Sequence, residues 1–201
     1  HAWRLHLDIS AYFPSIAHDR LLMLLARRVR DEDTLALLHS LIASGEQVYR
    51  SRLAGQWLGE RCPPPGRGLP LGSWFSQWCG NVFLDDLDHF IKRDLRIPVY
   101  LRYMDDLVLF ADSKGQLLDA RTVVGDWLCE QRGLSLNPKR LAVEPTWTPA
   151  TFVGYRISRA GIAPGRKLRR NFRRRLRVAG ERGEESLMRS IRSYRGLLVF
   201  P

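Results

Sequence analysis

Three aspartates in this sequence have the surroundings of a metal-dependent catalytic site. Asp8 ends a stretch in which apolar and polar residues alternate, and Asp105 and Asp106 lie between two short apolar runs. Carboxylate oxygens are the ligands that hard cations such as Mg²⁺ or Mn²⁺ prefer. Two such ions held close together can stabilise both the attacking and the leaving oxygen of a phosphoryl transfer. If folding brings the three carboxylates together, they would support this chemistry.

The Asp105-Asp106 pair also has a simpler interpretation, because aspartate is common in turns. Three features weigh against it: the flanking runs are strongly apolar, Asp8 begins a motif of its own, and a glycine-rich loop, residues 66–77, lies between them. Glycines let the backbone approach a ligand closely, and a loop that leads into a helix N-terminus favours anions. Taken alone, this loop is explained equally well as a connection in which Ser73 caps a helix.

The elements that must position these residues are strands and helices in mixed order. Residues 3–9 alternate as a half-buried strand does, and residues 99–110 predict a β-hairpin with the acidic pair at its tip. Helical spacing of apolar residues covers 18–29, 34–43, 74–93 and 116–131, further strands cover 141–144 and 151–157, and a basic helix runs from 167 onward. Because helices and strands do not alternate strictly, the predicted fold class is α+β, an antiparallel sheet with helices packed on one face.

The charge of the chain is concentrated near its C-terminal end. Residues 1–163 carry 20 Lys and Arg against 18 Asp and Glu, whereas residues 164–201 carry 12 against 3. Such asymmetry predicts a polyanionic partner, a nucleic acid before a membrane surface. The alternative is a basic helix that is simply solvated.

Cysteine spacing and hydropathy argue against a zinc protein and against a membrane-spanning protein. The three cysteines, Cys62, Cys79 and Cys129, are far apart and form no Cys-x-x-Cys pair, which argues against a zinc site. Scattered thiols fit a reducing compartment, and no apolar run is long enough to span a membrane.

Five motifs of this sequence, in order, resemble those of reverse transcriptases. They are residues 7–16, residues 68–88 with Gly-Leu-Pro-Leu-Gly and Ser76-Gln77, residues 100–106 with Tyr-Met-Asp-Asp, residues 134–139 with Leu-Ser-Leu-Asn-Pro-Lys, and residues 152–155 with Phe-Val-Gly-Tyr, which resemble the primer-grip turn. The form is similar to prokaryotic enzymes of retrons, group II introns and diversity-generating retroelements. Leu71 stands where the commoner motif has Gln.

The resemblance implies roles for individual residues. Asp8, Asp105 and Asp106, with the backbone carbonyl of Ile9, would hold two Mg²⁺ ions, or Mn²⁺, and Lys139 would approach the triphosphate as a catalytic group. The nucleotide would lie against Gly72, Gln77 and Phe13, whose ring would act as a steric gate against a ribose 2′-hydroxyl. The remaining residues, implied to contact primer and template, are Tyr103, Phe152, Gly154, Arg169, Arg170, Arg173 and Arg174.

The implied whole is a polymerase palm over residues 1–160 and the basic helical start of a thumb over residues 161–201. With seven residues before Asp8, we expect most of the fingers to be absent. The expected activity is RNA-directed DNA synthesis from deoxynucleotides on an RNA template and a DNA primer, or an RNA–DNA hybrid, in a prokaryotic cytoplasm. The alternatives are a template-independent or protein-primed polymerase of a defence-associated lineage and an inactive nucleic-acid-binding module. An accessory protein of a retroelement is a further candidate partner.

Overall fold

The computed structural model of the chain describes residues 1–52, 56, 62–70 and 72–198. Leu71, which departs from the commoner motif, lies outside the described residues. The chain divides into two compact units, one of His1 with Trp3–Val143 and one of Ala2 with Glu144–Pro201. This division rests on compactness alone, so the predicted functional boundary between residues 160 and 161 stays a prediction.

The first unit contains helices on a small antiparallel sheet, which confirms the predicted α+β class. A π-helical turn continues each of two helices, at Phe90–Asp94 and Leu128–Arg132. The described elements of this unit are β1 (Trp3–Asp8), α1 (Tyr12–Ser15), α2 (His18–Ala26), α3 (Glu32–Arg50), α4 (Trp74–Phe83), α5 (Asp85–His89), β2 (Val99–Tyr103), β3 (Asp106–Ala111) and α6 (Lys114–Trp127).

Strands β2, β3 and β1 lie side by side in that order, all antiparallel. The β2–β3 hairpin closes through a two-residue turn, Met104-Asp105, in which Met104 has a φ of 55°. Side chains alternate between the two faces of a strand. Leu5 and Leu7 are therefore fully buried against the helices, while His6 and Asp8 share the opposite face.

The core of this unit joins the sheet to the helices. Its largest fully buried side chains include Phe83, Leu87 and Ile91 from α5 and its flanks, together with Leu21 and Leu25 from α2. Complete burial of apolar side chains of this size contributes about 1.5–3 kcal/mol each. The strand that ends at Asp8 is thus anchored on its inner face, which leaves its outer face for polar groups.

Two of the predicted helices differ from the structure, each for a physical reason. The sequence predicts a stop at Ser44-Gly45, but α3 continues to Arg50. A Cβ on Gly45 would lie 2.6 Å from Pro70 Cδ, so this glycine allows close packing rather than ending the helix. The predicted helix over 74–93 is also interrupted, at Leu84, where the backbone leaves the helical region.

The second unit contains a three-stranded antiparallel sheet and two helices. The strand β4 (Val143–Pro145) contains the division between the units, and β5 (Ala150–Phe152), β6 (Tyr155–Ser158) and β7 (Gly161–Pro164) form the sheet in that order. The extended segment that the local pattern predicts over 151–157 is divided in two, because Val153 and Gly154 both have positive φ and form a tight hairpin turn, as the resemblance implied. The helices α7 (Arg166–Glu181) and α8 (Glu184–Leu198) follow, and the rings of Phe172 and Tyr194 pack 5.0 Å apart between them.

Within the described part of the chain, no helix combines the length and the apolar character that a bilayer span requires.

Candidate active site

The end of β1 and the β2–β3 turn bring the three predicted aspartates to one edge of the sheet. Asp8 and Asp106 are directly opposite in the β1–β3 register. The Ile9 N–H donates to the backbone carbonyl of Asp105 at 3.2 Å, which ties the turn to the residue after β1. All three aspartates are half-buried. Residues that are about a hundred positions apart in sequence therefore form one acidic edge, defined as Asp8, Asp105 and Asp106.

Protein donors hold two of these carboxylates. Asn137 Nδ2 donates to Asp8 Oδ2 at 2.7 Å. Arg140 Nη1 donates to Asp106 Oδ1 at 3.0 Å, and His6 Nε2 lies 3.1 Å from the same oxygen. Among the described residues, no three His, Cys, Asp or Glu side chains are arranged as a ready metal site. The donor set of the acidic edge, clustered carboxylates beside backbone carbonyls, nevertheless has the chemistry that suits a hard divalent cation.

The two neighbouring aspartates of the turn have pKa values displaced in opposite directions. Burial raises the pKa of Asp105, and the negative charges of Asp106 and Asp8 raise it further. The hydrogen bond from His6 lowers the pKa of Asp106, with help from the charges of His6 and Arg140. Asp106 is therefore stabilised as an anion by the protein itself, whereas ionised Asp105 lacks full compensation, because burial and the neighbouring carboxylates outweigh the charge of Arg140 and its other favourable contact. A bound cation would supply that compensation.

The loop that contains Asn137 is an element of the site whose contacts were not predicted from the sequence. Asn137 makes four bonds: its N–H donates to the Asp8 carbonyl at 2.7 Å, its Nδ2 donates to the Asp8 carboxylate, its Oδ1 accepts from the Lys139 N–H at 3.1 Å, and its carbonyl accepts from the Arg140 N–H at 3.0 Å. A bridge between Ile9 and Leu136 attaches the same loop to the chain after β1. Asn137 thus connects Asp8 to Lys139, whose side chain is exposed.

The predicted nucleotide residues Phe13, Gly72 and Gln77 lie together around one pocket of about 200 Å³. Ser73, Ser76, Tyr103 and Met104 complete its lining. Lys139 is not among the lining residues. Ser76 is 1% exposed, and within the described residues its hydroxyl is a buried side-chain group that has no hydrogen-bond partner. An unpaired buried hydroxyl is costly, so the pocket contains a polar group that a ligand could satisfy.

Hydrogen bonds from Arg102 connect the Met104-Asp105 turn to two helices, a role that sequence reasoning missed. Its Nε donates to Asp88 Oδ1 at 2.7 Å, and its Nη1 donates to Asn81 Oδ1 at 3.0 Å. Nη1 also approaches the Met104 carbonyl at 3.4 Å. A planar guanidinium with several fixed donors is suited to such a joint. The turn is therefore tied to helices α4 and α5 as well as to β1.

In the second unit, the residues predicted to contact the primer lie at a hairpin turn and at the start of a helix. Phe152 ends β5, and Gly154 belongs to the turn that follows. The Gly165 N–H donates to the Gly154 carbonyl at 2.9 Å, and a Cβ on Gly165 would lie 2.4 Å from that oxygen. Glycine at position 165 therefore allows the turn and the N-terminus of α7 to lie against each other.

The four predicted thumb arginines share one face of α7. Arg169, Arg170, Arg173 and Arg174 are exposed and line a groove of about 800 Å³ with other basic residues of the helix. Their spacing of three or four residues places them on neighbouring turns. Guanidinium groups in this arrangement bind phosphates without reading sequence.

Comparison with known proteins identifies the architecture. A family model described as "Reverse transcriptase (RNA-dependent DNA polymerase)" matches residues 1–157. An uncharacterized 91 kDa protein in the cob intron of Schizosaccharomyces pombe (strain 972 / ATCC 24843) is 26% identical over 133 residues, which cover 60% of this chain and 15% of that protein. A putative COX1/OXI3 intron 2 protein of Saccharomyces cerevisiae (strain ATCC 204508 / S288c) is 20% identical over 212 residues, covering 77% of this chain and 24% of that protein.

A solved structure shares the fold at low sequence identity. The structure of apo telomerase from Candida tropicalis, truncated from the C-terminal domain, superposes with a TM-score of 0.53 at 13% identity. The match covers 78% of this chain and 34% of that one. The chain thus spans about a quarter or less of the two intron proteins and about a third of the telomerase chain. The two intron proteins are fungal, so they do not show the predicted prokaryotic lineage.

Proposed function

The chain belongs to the reverse transcriptase (RNA-dependent DNA polymerase) family, and on that premise we propose that it adds deoxynucleotides to a primer 3′ end on an RNA template by two-metal phosphoryl transfer. The observation that carries this proposal is the acidic edge, where Asp8 lies opposite Asp106 and the Ile9 N–H bonds to Asp105. Tyr103 and Met104, which immediately precede it, line the pocket formed with Phe13 and Gln77.

Asp8, Asp105, Asp106 and the carbonyl of Ile9 would hold two divalent cations, Mg²⁺ before Mn²⁺. The ions supply charge that activates the primer 3′-oxygen and stabilises the leaving pyrophosphate. The protein's part is to hold the carboxylates in place: Asn137 restrains Asp8, and His6 and Arg140 restrain Asp106. Such outer contacts orient metal ligands and adjust their affinity.

The pocket beside the acidic edge would take the incoming nucleotide. Phe13 acts there as the gate that excludes a 2′-hydroxyl, and Gly72 and Gln77 contact the nucleotide and template. Lys139 approaches the triphosphate from the exposed loop beside Asn137. What supports these assignments is that Phe13, Gly72 and Gln77 line one cavity.

The primer and template would lie against Tyr103, the turn at Phe152 and Gly154, and the arginines of α7. The proposed partners are an RNA template, a DNA primer or RNA–DNA hybrid, and deoxynucleotides. Among the lineages that the motifs suggest, the names of the two fungal relatives, both intron proteins, favour the group II intron type. A prokaryotic, cytoplasmic origin and an accessory protein stay predictions.

Primer extension by the full-length protein tests the proposal. We expect template-dependent synthesis with deoxynucleotides and Mg²⁺ that falls by at least about a thousandfold in Asp105→Asn. The matched control is Asp119→Asn, which neutralises an exposed aspartate of α6 and should leave synthesis unchanged.

Three other outcomes would contradict parts of the proposal. Activity that survives Asp105→Asn would remove the metal assignment. Synthesis that ignores the template would point to a template-independent polymerase, and nucleic-acid binding without any synthesis would point to an inactive binding module.

A further inference from the structure

Phe13 lies against a glycine in the interior of α4. Gly80 is buried, and a Cβ built on it would lie 3.3 Å from Phe13 Cε1, 3.5 Å from Phe13 Cζ and 3.3 Å from Tyr12 Cε1. Contacts of 3.3 Å are tighter than nine in ten real Cβ contacts, so both rings would have to give by a few tenths of an ångström. Glycine is disfavoured inside a helix relative to alanine, and its presence here leaves the space that the two rings fill.

The two rings differ in their freedom to move. Tyr12 is 2% exposed, and its hydroxyl donates to the Gly80 carbonyl, so it is fixed on the same helix. Phe13 is half-buried, packs edge-on against Tyr12 with ring centroids 5.3 Å apart, and lines the pocket. A methyl group at position 80 would therefore displace Phe13 further than Tyr12, and Phe13 lines the pocket.

We propose that Gly80 is a specificity-determining position: the absence of a side chain there sets how far the Phe13 ring projects into the pocket, and thereby which 2′ substituents the pocket accepts. This inference rests on the proposed function, because it takes the pocket as the nucleotide site. Gly80 itself does not touch the nucleotide and acts through Phe13.

The test uses Gly80→Ala in the full-length protein and nucleotides that carry hydrogen, fluorine or hydroxyl at the 2′ position. If the Phe13 ring projects further into the pocket, nucleotides with larger 2′ substituents should be used less well. We expect the ratio of kcat/KM for the 2′-fluoro nucleotide to that for the deoxynucleotide to fall by at least about threefold. The loss should lie in KM, with kcat for the deoxynucleotide within about twofold of the unaltered protein.

Gly115→Ala is the matched control. Gly115 is a helical glycine of α6 whose Cβ would meet only Ser113 Oγ, at 3.6 Å, an ordinary contact. It should leave the ratio unchanged. An equal fall of kcat for all three nucleotides in Gly80→Ala, without a change in their ratio, would overturn the inference because it would show a general structural effect.

A double variant separates the gate from the fold. In a Phe13→Ala background the added methyl has no ring to displace, so Gly80→Ala should no longer alter the ratio. If Gly80→Ala alone fails to fold, the double variant should fold as Phe13→Ala does. Failure of the double variant to fold, where Phe13→Ala folds, would show that Tyr12 takes the clash and would overturn the inference.

The same series distinguishes this inference from the proposed function. If Phe13→Ala raises use of the 2′-hydroxyl nucleotide while Gly80→Ala changes no ratio, the gate stands and the role of Gly80 is wrong. If Phe13→Ala changes no ratio, or the unaltered protein makes no DNA, the proposed gate or polymerase fails and the role of Gly80 fails with it.

Discussion

The proposed site contains two groups of like charges, the acidic edge and the basic helix α7, and their surroundings differ. Each carboxylate of the acidic edge is half-buried, and Asp8 and Asp106 each accept hydrogen bonds from distant parts of the chain. The arginines of α7 are exposed on one helix and line an open groove. The first arrangement depends on exact placement of individual groups, and the second depends on total charge. Single substitutions should therefore have large effects at the acidic edge and small effects on α7.

The largest effect is expected from Asp8→Asn. This change keeps the shape of the side chain but removes a charge that the two proposed cations would need, so synthesis should fall by at least about a thousandfold. Primer extension under single-turnover conditions measures it, with a thermal melt to show that the fold is retained. A loss of less than about tenfold would remove Asp8 from the metal ligands.

A smaller loss is expected from Asn137→Ala. The Asp8 carboxylate would lose its donor and the backbone N–H of Lys139 would lose its side-chain acceptor, so kcat/KM should fall by about 10- to 100-fold. Because the carboxylate itself remains, added Mg²⁺ should recover part of the loss. Ser135→Ala, an exposed side chain of the same loop, should have no effect. Loss of activity that no concentration of Mg²⁺ relieves would argue against positioning of Asp8.

Single arginine substitutions on α7 should have modest effects that accumulate. Arg173→Ala is expected to weaken binding of an RNA–DNA duplex by about threefold, and combining it with Arg169→Ala and Arg170→Ala should lower the salt dependence of log Kd by about one per residue. Fluorescence anisotropy at several salt concentrations measures both. A single substitution that abolishes binding would show that α7, like the acidic edge, depends on precise placement.

The smallest expected effect is a change in Tm, which should have opposite signs for substitutions of the neighbouring residues Asp105 and Asp106. The pKa of Asp105 is raised by burial, so its ionised form destabilises the fold at neutral pH, and Asp105→Asn should raise Tm by about 2 °C without added metal. That gain should shrink as pH falls through the raised pKa, and it should vanish below the ordinary carboxyl pKa, where Asp105 is neutral in the folded and the unfolded state alike. The pKa of Asp106 is lowered by its bond with His6, so Asp106→Asn should lower Tm at neutral pH. The stability from Asp106 is lost as pH falls through its lowered pKa.

These opposite shifts can be followed by calorimetry in a chelator. Two variants that shift Tm in the same direction at neutral pH would show that the environments of Asp105 and Asp106 do not differ as the structure indicates.

Local pattern predicted those parts of the fold that local forces decide. The β2–β3 hairpin follows from two apolar runs around a polar tip, and the α+β class follows from the mixed order of elements. Gly45 is a position where the local sequence pattern gave a wrong helix end. The glycine does not end the helix there; it lacks a side chain because Pro70 packs against it. Local pattern alone missed the turn at Val153-Gly154, because the residues on both sides of it look equally extended, whereas the family resemblance implied a turn there.

The sequence by itself determined which groups we propose to carry the chemistry: Asp8, the Asp105-Asp106 turn and the arginines of α7 are visible as residue types in short motifs. Only the tertiary structure decided how those groups are held. Asn137 reaches Asp8 across 129 positions, and Arg140 and His6 converge on a single oxygen of Asp106. The same holds for Gly80, whose missing side chain has meaning only because Phe13 packs against it. Such contacts depend on distances between packed elements, and no periodicity within one segment encodes them.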